Sequence, residues 1–213
     1  MNKEIYIIGG GCSLQNKNLR MLQNKETIVT NKSICYVPNP NWFITMDYTF
    51  LRKMGNHFEQ TFYNEKIPKV FIANFASPHL EEKNGHIVDI RWNLVYDLRD
   101  FNLIIKSYKT SGLGYHFGDF RNGDNTGYSA LQLAIILGYT EINLLGLDLQ
   151  VGQFTHFHKG YGENKDKFQN KLNKYYNYFK NSLAQLKKER PDINIYSCSE
   201  TSKLNKFLPQ KKL

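Results

Sequence analysis

Cysteine is scarce in this chain: three in 213 residues, at Cys12, Cys35 and Cys198, with no CxxC spacing. An odd number so spaced excludes a disulfide scaffold and points to a reducing, cytoplasmic setting. Long apolar runs are also missing, and none approaches the ~20 residues of a membrane-spanning helix. The opening stretch Met1–Gly10 is too short in its apolar part, and too rich in glycine, for a secretory signal. GxSxG, HExxH, P-loop and Asp-x-Asp motifs are all absent, which removes the corresponding hydrolase, zincin, NTPase and metal-dependent transferase patterns.

The charge is more particular. A net +9 reads at first as a nucleic-acid signature, yet residues 1–158 hold 15 basic and 14 acidic side chains. Residues 159–213 hold 13 basic and 5 acidic ones. The basicity therefore belongs to a C-terminal helix and tail at about 165–213, and the body is close to neutral. Such a segment is a solvated face or a docking surface for anionic lipid, which would put the protein at the membrane periphery. Without a recognisable RNA- or DNA-binding motif, nucleic acid is not an expected partner.

Strands and helices alternate from the start. Apolar strands are expected at Glu4–Ile8, Thr27–Thr30, Trp42–Thr45, Lys69–Ala73, His86–Ile90, Ile142–Leu145 and Ile193–Tyr196. Leu14, Leu19, Met21 and Leu22 give a short helix-like stretch, and Tyr48–Met54 a helical turn. Tyr128–Leu137 reads as a helix capped by Asn125 or Thr126 and stopped by Gly138. Phe168, Leu172, Tyr175, Phe179, Leu183 and Leu186 share one face of a longer helix over Asp166–Arg190. Between these lies a glycine-punctuated segment at about 109–126, long enough to be a lid-like loop. The order predicts one α/β domain over residues 1–213, a Rossmann-like, mainly parallel sheet with helices on both faces.

Candidate site residues gather at strand ends. Gly9, Gly10, Gly11, Cys12 and Ser13 follow the first strand, where glycines let a backbone approach a phosphate or ribose with its amides pointing at the anion. The run is not GxGxxG, and a plain tight β-to-α turn is the alternative. Asn31 and Asp47 each sit just past a strand, where open sheets place ligand contacts, although Asn and Asp are also ordinary turn residues there. Asn125, Thr126 and Gly127 either bind an anion at a helix N-terminus or simply cap it. His156 and His158 alternate in a polar stretch. They suit a general base better than a metal pair, since no third ligand has diagnostic spacing; two surface histidines without a role are the other reading.

Together these motifs resemble the bacterial sialyltransferases of glycosyltransferase family 42. Gly9-Gly10-Gly11-Cys12-Ser13-Leu14 is similar to that family's Gly-Asn-Gly-Pro-Ser-Leu opening. Thr126-Gly127 through Leu137-Gly138-Tyr139-Thr140-Glu141-Ile142 to Gly146-Leu147-Asp148 is similar to its Ser-Gly, Ala-Leu-Gly-Tyr-Lys-Glu-Ile and Gly-Ile-Asp block, with no gap from Gly127 to Asp148. Asn31 falls at the family's Cys-Asn-Gln asparagine. The related domain of unknown function family 115, with its flagellin-modifying transferases and an archaeal pterin pyrophosphokinase, shares this skeleton.

The resemblance implies a glycosyltransferase A-like variant that moves a sugar from a nucleotide-activated donor, with CMP-sialic acid or a related nonulosonate as the leading candidate, to a glycan or glycolipid hydroxyl. Gly9, Gly11 and Ser13 would line the nucleotide pocket, Asn31 would meet nucleotide or phosphate, Thr126 and Gly127 the donor, and Asp148 the cytidine or ribose side. His156 or His158 would be the base, and no metal or other cofactor is implied. The sequence departs from the family at Gly10, Cys12 and Asp47. It also lacks an arginine directly before Thr126, for which Arg121 is the candidate phosphate contact. The alternatives are a Mg²⁺-dependent pyrophosphokinase-like phosphoryl transfer, for which Asp47 and Asp148 are the well-placed acidic pair, and a non-enzymatic nucleotide-binding protein of the same fold.

Overall fold

In a computed structural model, residues 3–48, 62, 66–158 and 164–213 are described. Ten strands and two α-helices are present among them. Their bounds are β1 (Glu4–Ile8), β2 (Thr27–Thr30), β3 (Trp42–Thr45), β4 (Lys69–Asn74), β5 (Leu80–Lys83), β6 (His86–Asp89) and β7 (Leu94–Val95). Then come β8 (Leu103–Ser107), α1 (Thr126–Ile136), β9 (Glu141–Leu145), α2 (Lys165–Glu189) and β10 (Asn194–Ser197). Seven strands form one sheet in the order β10-β9-β1-β2-β3-β4-β8, every pair parallel. The expected α/β class and parallel sheet are therefore present. From β1 the chain runs outward to β2, β3, β4 and β8, then returns to place β9 on the other side of β1. This makes the β1/β9 boundary the topological switch point, where the carboxyl ends of adjacent strands diverge and leave a crevice.

Both faces of the central strands are buried, so their sequences are continuous apolar runs rather than alternating ones. Ile5, Ile7, Ile28, Ile44, Val70 and Ile72 point into one core layer. Tyr6, Ile8, Val29 and Phe43 point into the other. On the first face α1 lies over β1, β2 and β3 and is buried along nearly its whole length. It is enclosed because α2 packs outside it, with Tyr128 and Phe179 edge-to-face at 5.2 Å. On the second face, among the described residues, short 3-10 turns at Cys12–Leu14, Leu19–Leu22 and Asn31–Cys35 cover the sheet together with Phe62. The helix-like stretch expected over Leu14–Leu22 is thus two separate 3-10 turns. Of the turn expected over Tyr48–Met54, only Tyr48 is among the described residues.

Two strand expectations are corrected. His86–Ile90 is not a fifth strand of the main sheet: β6 pairs antiparallel with β5 and β7 in a separate three-stranded sheet. The cause is the Asn84-Gly85 pair, both with positive φ (51° and 78°), which closes a two-residue hairpin. The missing main-sheet strand is β8, an edge strand that buries only alternate residues. The helices agree with their capping chemistry. The Asn125 side chain accepts the Tyr128 N–H at 2.9 Å, and Gly138 (φ 81°) ends α1.

In the segment 109–126, Tyr128 Oη–H donates to the Gly112 carbonyl, and the Gln132 and Gln185 side chains accept from Gly114 N–H and Leu113 N–H. The tail folds back on the sheet: Lys211 Nζ reaches Glu4 (2.8 Å) and Glu141 (2.5 Å) at the amino ends of β1 and β9. That end lies opposite the crevice. No helix among the described residues is long and apolar enough to cross a membrane.

Candidate active site

A cleft of about 320 Å³ opens at the carboxyl ends of β1, β2, β3 and β9. Its floor is the loop after β1. Gly9 N–H donates to Leu145 O (2.8 Å) and Gly11 N–H to Gly146 O (2.7 Å), so this loop continues the β1–β9 ladder beyond both strands. Gly10 N–H has no backbone partner among the described residues, while Gly10 O accepts from Phe157 N–H at 3.1 Å. That bond brings the histidine segment over the glycine loop. A Cβ on Gly10 would lie 2.9 Å from His156 Cδ2, so the close approach requires glycine here.

Asp148 fixes the loop from the β9 side. Its carboxylate is 2% exposed and accepts Ser13 N–H at 2.7 Å and Ser13 Oγ–H at 2.5 Å, with the Cys12 thiol 3.6 Å away. Burial, then the Asp148 charge and hydrogen bond, push the Cys12 thiol above its ordinary pKa. Cys12 and Ser13 thus lie behind the cleft wall, and Asp148 turns its oxygens to them. Three residues on the cleft lining, Asn31, Asp124 and Leu149, adopt positive φ (49°, 52° and 52°).

The remaining walls come from distant parts of the chain. Asn31 Oδ1 accepts from Thr45 Oγ, and Thr45 Oγ in turn accepts Asp47 N–H, so the ends of β2 and β3 are tied side by side. Thr126 and Gly127 present the first turn of α1, whose amides have no intrahelical acceptor. His156 and His158 stack at 5.0 Å with an interplanar angle of 22°. His158 is flanked by Tyr36 and Phe157, and His156 lies against Phe168 of α2.

Of the residues singled out from sequence, Gly9, Gly10, Gly11, Asn31, Asp47, Asn125, Thr126, Gly127, Asp148, His156 and His158 all line this one cleft. Arg121 does not. Its guanidinium donates to Ser111 O (2.9 Å) and Asp119 (3.1 Å) within its own loop, away from the cleft lining. Among the described residues no three His, Cys, Asp or Glu side chains converge as a metal-ligand set.

Sequence reasoning passed over Asp124, Lys171 and Tyr175, which also line the cleft. Asp124 takes hydrogen bonds from Asn74 (3.2 Å) and Lys174 (2.8 Å). Tyr175 is pushed up to about 12 by burial and by the nearby Asp124, Tyr178 and Asp47 charges. The available signal was the apolar stripe of α2. Its first half, Phe168, Leu172 and Tyr175, faces the cleft, whereas Phe179, Leu183 and Leu186 enter the core.

No family model matches the chain, and no curated protein matches it either. Solved structures do. The sialyltransferase CST-II in complex with trisaccharide acceptor and CMP is 17% identical with a TM-score of 0.56, over 98% of this chain and 86% of that one. CstII from Campylobacter jejuni in complex with the substrate analogue CMP-3FNeuAc gives the same values. The MAf glycosyltransferase from Magnetospirillum magneticum AMB-1 is 14% identical with a TM-score of 0.52, over all of this chain but 33% of that one. At such identities the likeness establishes a shared fold: the single-domain α/β sheet here is similar to that of the CstII sialyltransferases.

Proposed function

We propose that this protein is a glycosyltransferase that takes a sugar from a nucleotide-activated donor. The observation that carries the reading is the convergence, at the switch point of the sheet, of three features. These are a glycine loop whose Gly10 amide has no backbone partner among the described residues, the open N-terminal turn of α1 at Thr126 and Gly127, and the stacked pair His156–His158. The first two are neutral donors fixed by the fold, suited to the charge that builds on a departing phosphate. The third supplies two imidazoles, side chains suited to the role of general base.

In the reaction one imidazole nitrogen takes the proton of the acceptor hydroxyl. The acceptor oxygen forms a bond to the anomeric carbon while the bond from that carbon to the phosphate oxygen breaks. The electron pair leaves with the nucleotide, towards the Gly10 and Thr126–Gly127 amides. The donor named first is CMP-sialic acid or a related nonulosonate, with a glycan or glycolipid acceptor. Its support is the resemblance of the glycine and Gly-Leu-Asp blocks, and the CMP and acceptor complexes of the CstII proteins that share the fold. This reading needs no metal, and both Asp148 oxygens already accept hydrogen bonds from Ser13.

Thermal-shift measurements with CMP, CDP, UDP, GDP and ATP, each with and without Mg²⁺, test the reading. Stabilisation by a pyrimidine nucleotide without metal is the expected result; a shift with Mg-ATP alone, or with none of the five, overturns it. Replacement of both His156 and His158 by Ala should abolish sugar transfer while nucleotide binding persists. If transfer continues undiminished, neither imidazole is the base. The single replacements then assign the role to one of them.

A further inference from the structure

α2 crosses the cleft. At one end Phe168 lies 5.1 Å from the His156 ring, and two turns later Lys174 holds Asp124 at 2.8 Å. Between them, one turn from each and about 4.5 Å along the axis, Lys171 lines the same cleft. Its ammonium makes no hydrogen bond or ion pair among the described residues. The other charges around it are committed: Lys174 to Asp124, and Asp148 to Ser13. The one arginine expected here, Arg121, is turned into its own loop. Backbone amides supply dipoles but no full positive charge. Among the described lining residues, Lys171 is therefore the lysine whose charge is available to an anionic donor.

We propose that Lys171 is a donor-binding residue, whose ammonium pairs with the phosphate that links sugar to nucleoside and holds it between the histidine pair and the N-terminal turn of α1. This rests on the nucleotide-sugar reading above and extends it. The same cleft presents Asp47, Asp124 and Tyr175, side chains that accept or exchange hydrogen bonds with the neutral hydroxyls of a sugar. Helix spacing produces this without any local motif. Phe168, Lys171, Leu172 and Tyr175 fall at i, i+3, i+4 and i+7, so a single lysine is set into an otherwise apolar stripe.

The test is calorimetric titration of CMP, UDP and GDP, and of cytidine, uridine and guanosine, into the full-length protein and its variants Lys171→Ala, Lys171→Arg and Lys167→Ala. Lys167 is an exposed lysine one turn earlier on α2, off the cleft lining, and controls for general electrostatics. Lys171→Ala should weaken the preferred nucleotide about 10-fold or more, leave its nucleoside unchanged and flatten the salt dependence of binding. Lys171→Arg should keep most of the affinity, and Lys167→Ala should change it less than 2-fold. If the parent protein binds a nucleotide and Lys171→Ala binds it within 2-fold, the Lys171 assignment is wrong and the nucleotide reading stands. If the parent binds none of the three nucleotides, both fall. A parallel loss of nucleoside affinity in Lys171→Ala marks a structural role and also overturns the assignment.

Discussion

Replacing Asp148 should loosen the glycine loop in graded steps, and the size of each step follows from its bonds. The buried carboxylate accepts two hydrogen bonds from one residue, Ser13 N–H at 2.7 Å and Ser13 Oγ–H at 2.5 Å. Hydrogen bonds to a charged acceptor contribute about 1.5–3 kcal/mol each, so Asp148→Ala should cost about 3–6 kcal/mol. Part of that cost is the Ser13 donors left without a partner. Asp148→Asn is milder, because an amide of the same shape can accept Ser13 N–H and donate to Ser13 Oγ. It loses only the charge assistance, roughly half of each bond, or about 1–2 kcal/mol after the relief of carboxylate desolvation. Ser13→Ala removes one bond and should fall between them. Urea unfolding of the three variants and of Ser13→Ala/Asp148→Asn gives the energies, with the double variant costing less than the sum of the singles by at least ~0.5 kcal/mol. An Asp148→Asn protein as stable as the parent, together with additive behaviour of the pair, would refute the idea that this carboxylate clamps the loop.

Three further outcomes are expected. In a protein whose only cysteine is Cys12, iodoacetamide at pH 8 should react more slowly than with a free thiol, because burial and Asp148 raise the Cys12 pKa; Asp148→Asn removes the charge contribution and should speed the reaction several-fold, as a pH–rate profile will show. Glu4 is a partly buried carboxylate, yet Lys211, Tyr6 and Asn143 hold its pKa at about 2 against an ordinary 4.5, so its contribution is fully present above pH about 4.5 and is lost as pH falls towards 2. Because the side chain is 31% exposed, solvent screening reduces the contribution to about 1 kcal/mol, and Lys211→Ala should flatten the acid limb of stability against pH by that amount. Finally, Arg121→Ala should leave nucleotide affinity within 2-fold while destabilising the protein through lost bonds to Ser111 and Asp119, measured by calorimetry and thermal unfolding.

Local chemistry made much of this molecule legible in advance. Four apolar residues, Ile5 to Ile8, ending in glycine placed β1, and Asn125 with Gly138 bounded α1 because capping depends on residues within one turn. The same locality explains the misses. Leu103–Ser107 carries a lysine and a serine and buries only alternate residues as an edge strand, so its strand character depends on β4, some thirty residues away in sequence. Asn84-Gly85 is a strong hairpin signal, but only the pairing shows that it detaches β6 from the main sheet.

The site divides in the same way. The residues next to strand and helix ends, from Gly9 to Gly127 and Asp148, could be read from sequence because strand ends are where an open sheet binds its ligands. Arg121, five residues before Thr126, is offered by the family resemblance as a substitute for a missing arginine, and the structure bonds it to Ser111 and Asp119 in its own loop, off the cleft lining.

By itself, then, the sequence determined a neutral α/β body with a basic C-terminal helix and tail, and a glycine loop and histidine pair at strand ends. These depend on composition and on contacts within one turn. Only the tertiary structure decided that β1 and β9 are neighbours, that Asp148 holds Ser13 across 135 positions, and that α2 lays Lys171 and Tyr175 over the cleft. Those are pairings between segments whose meeting is set by how the sheet closes around β1.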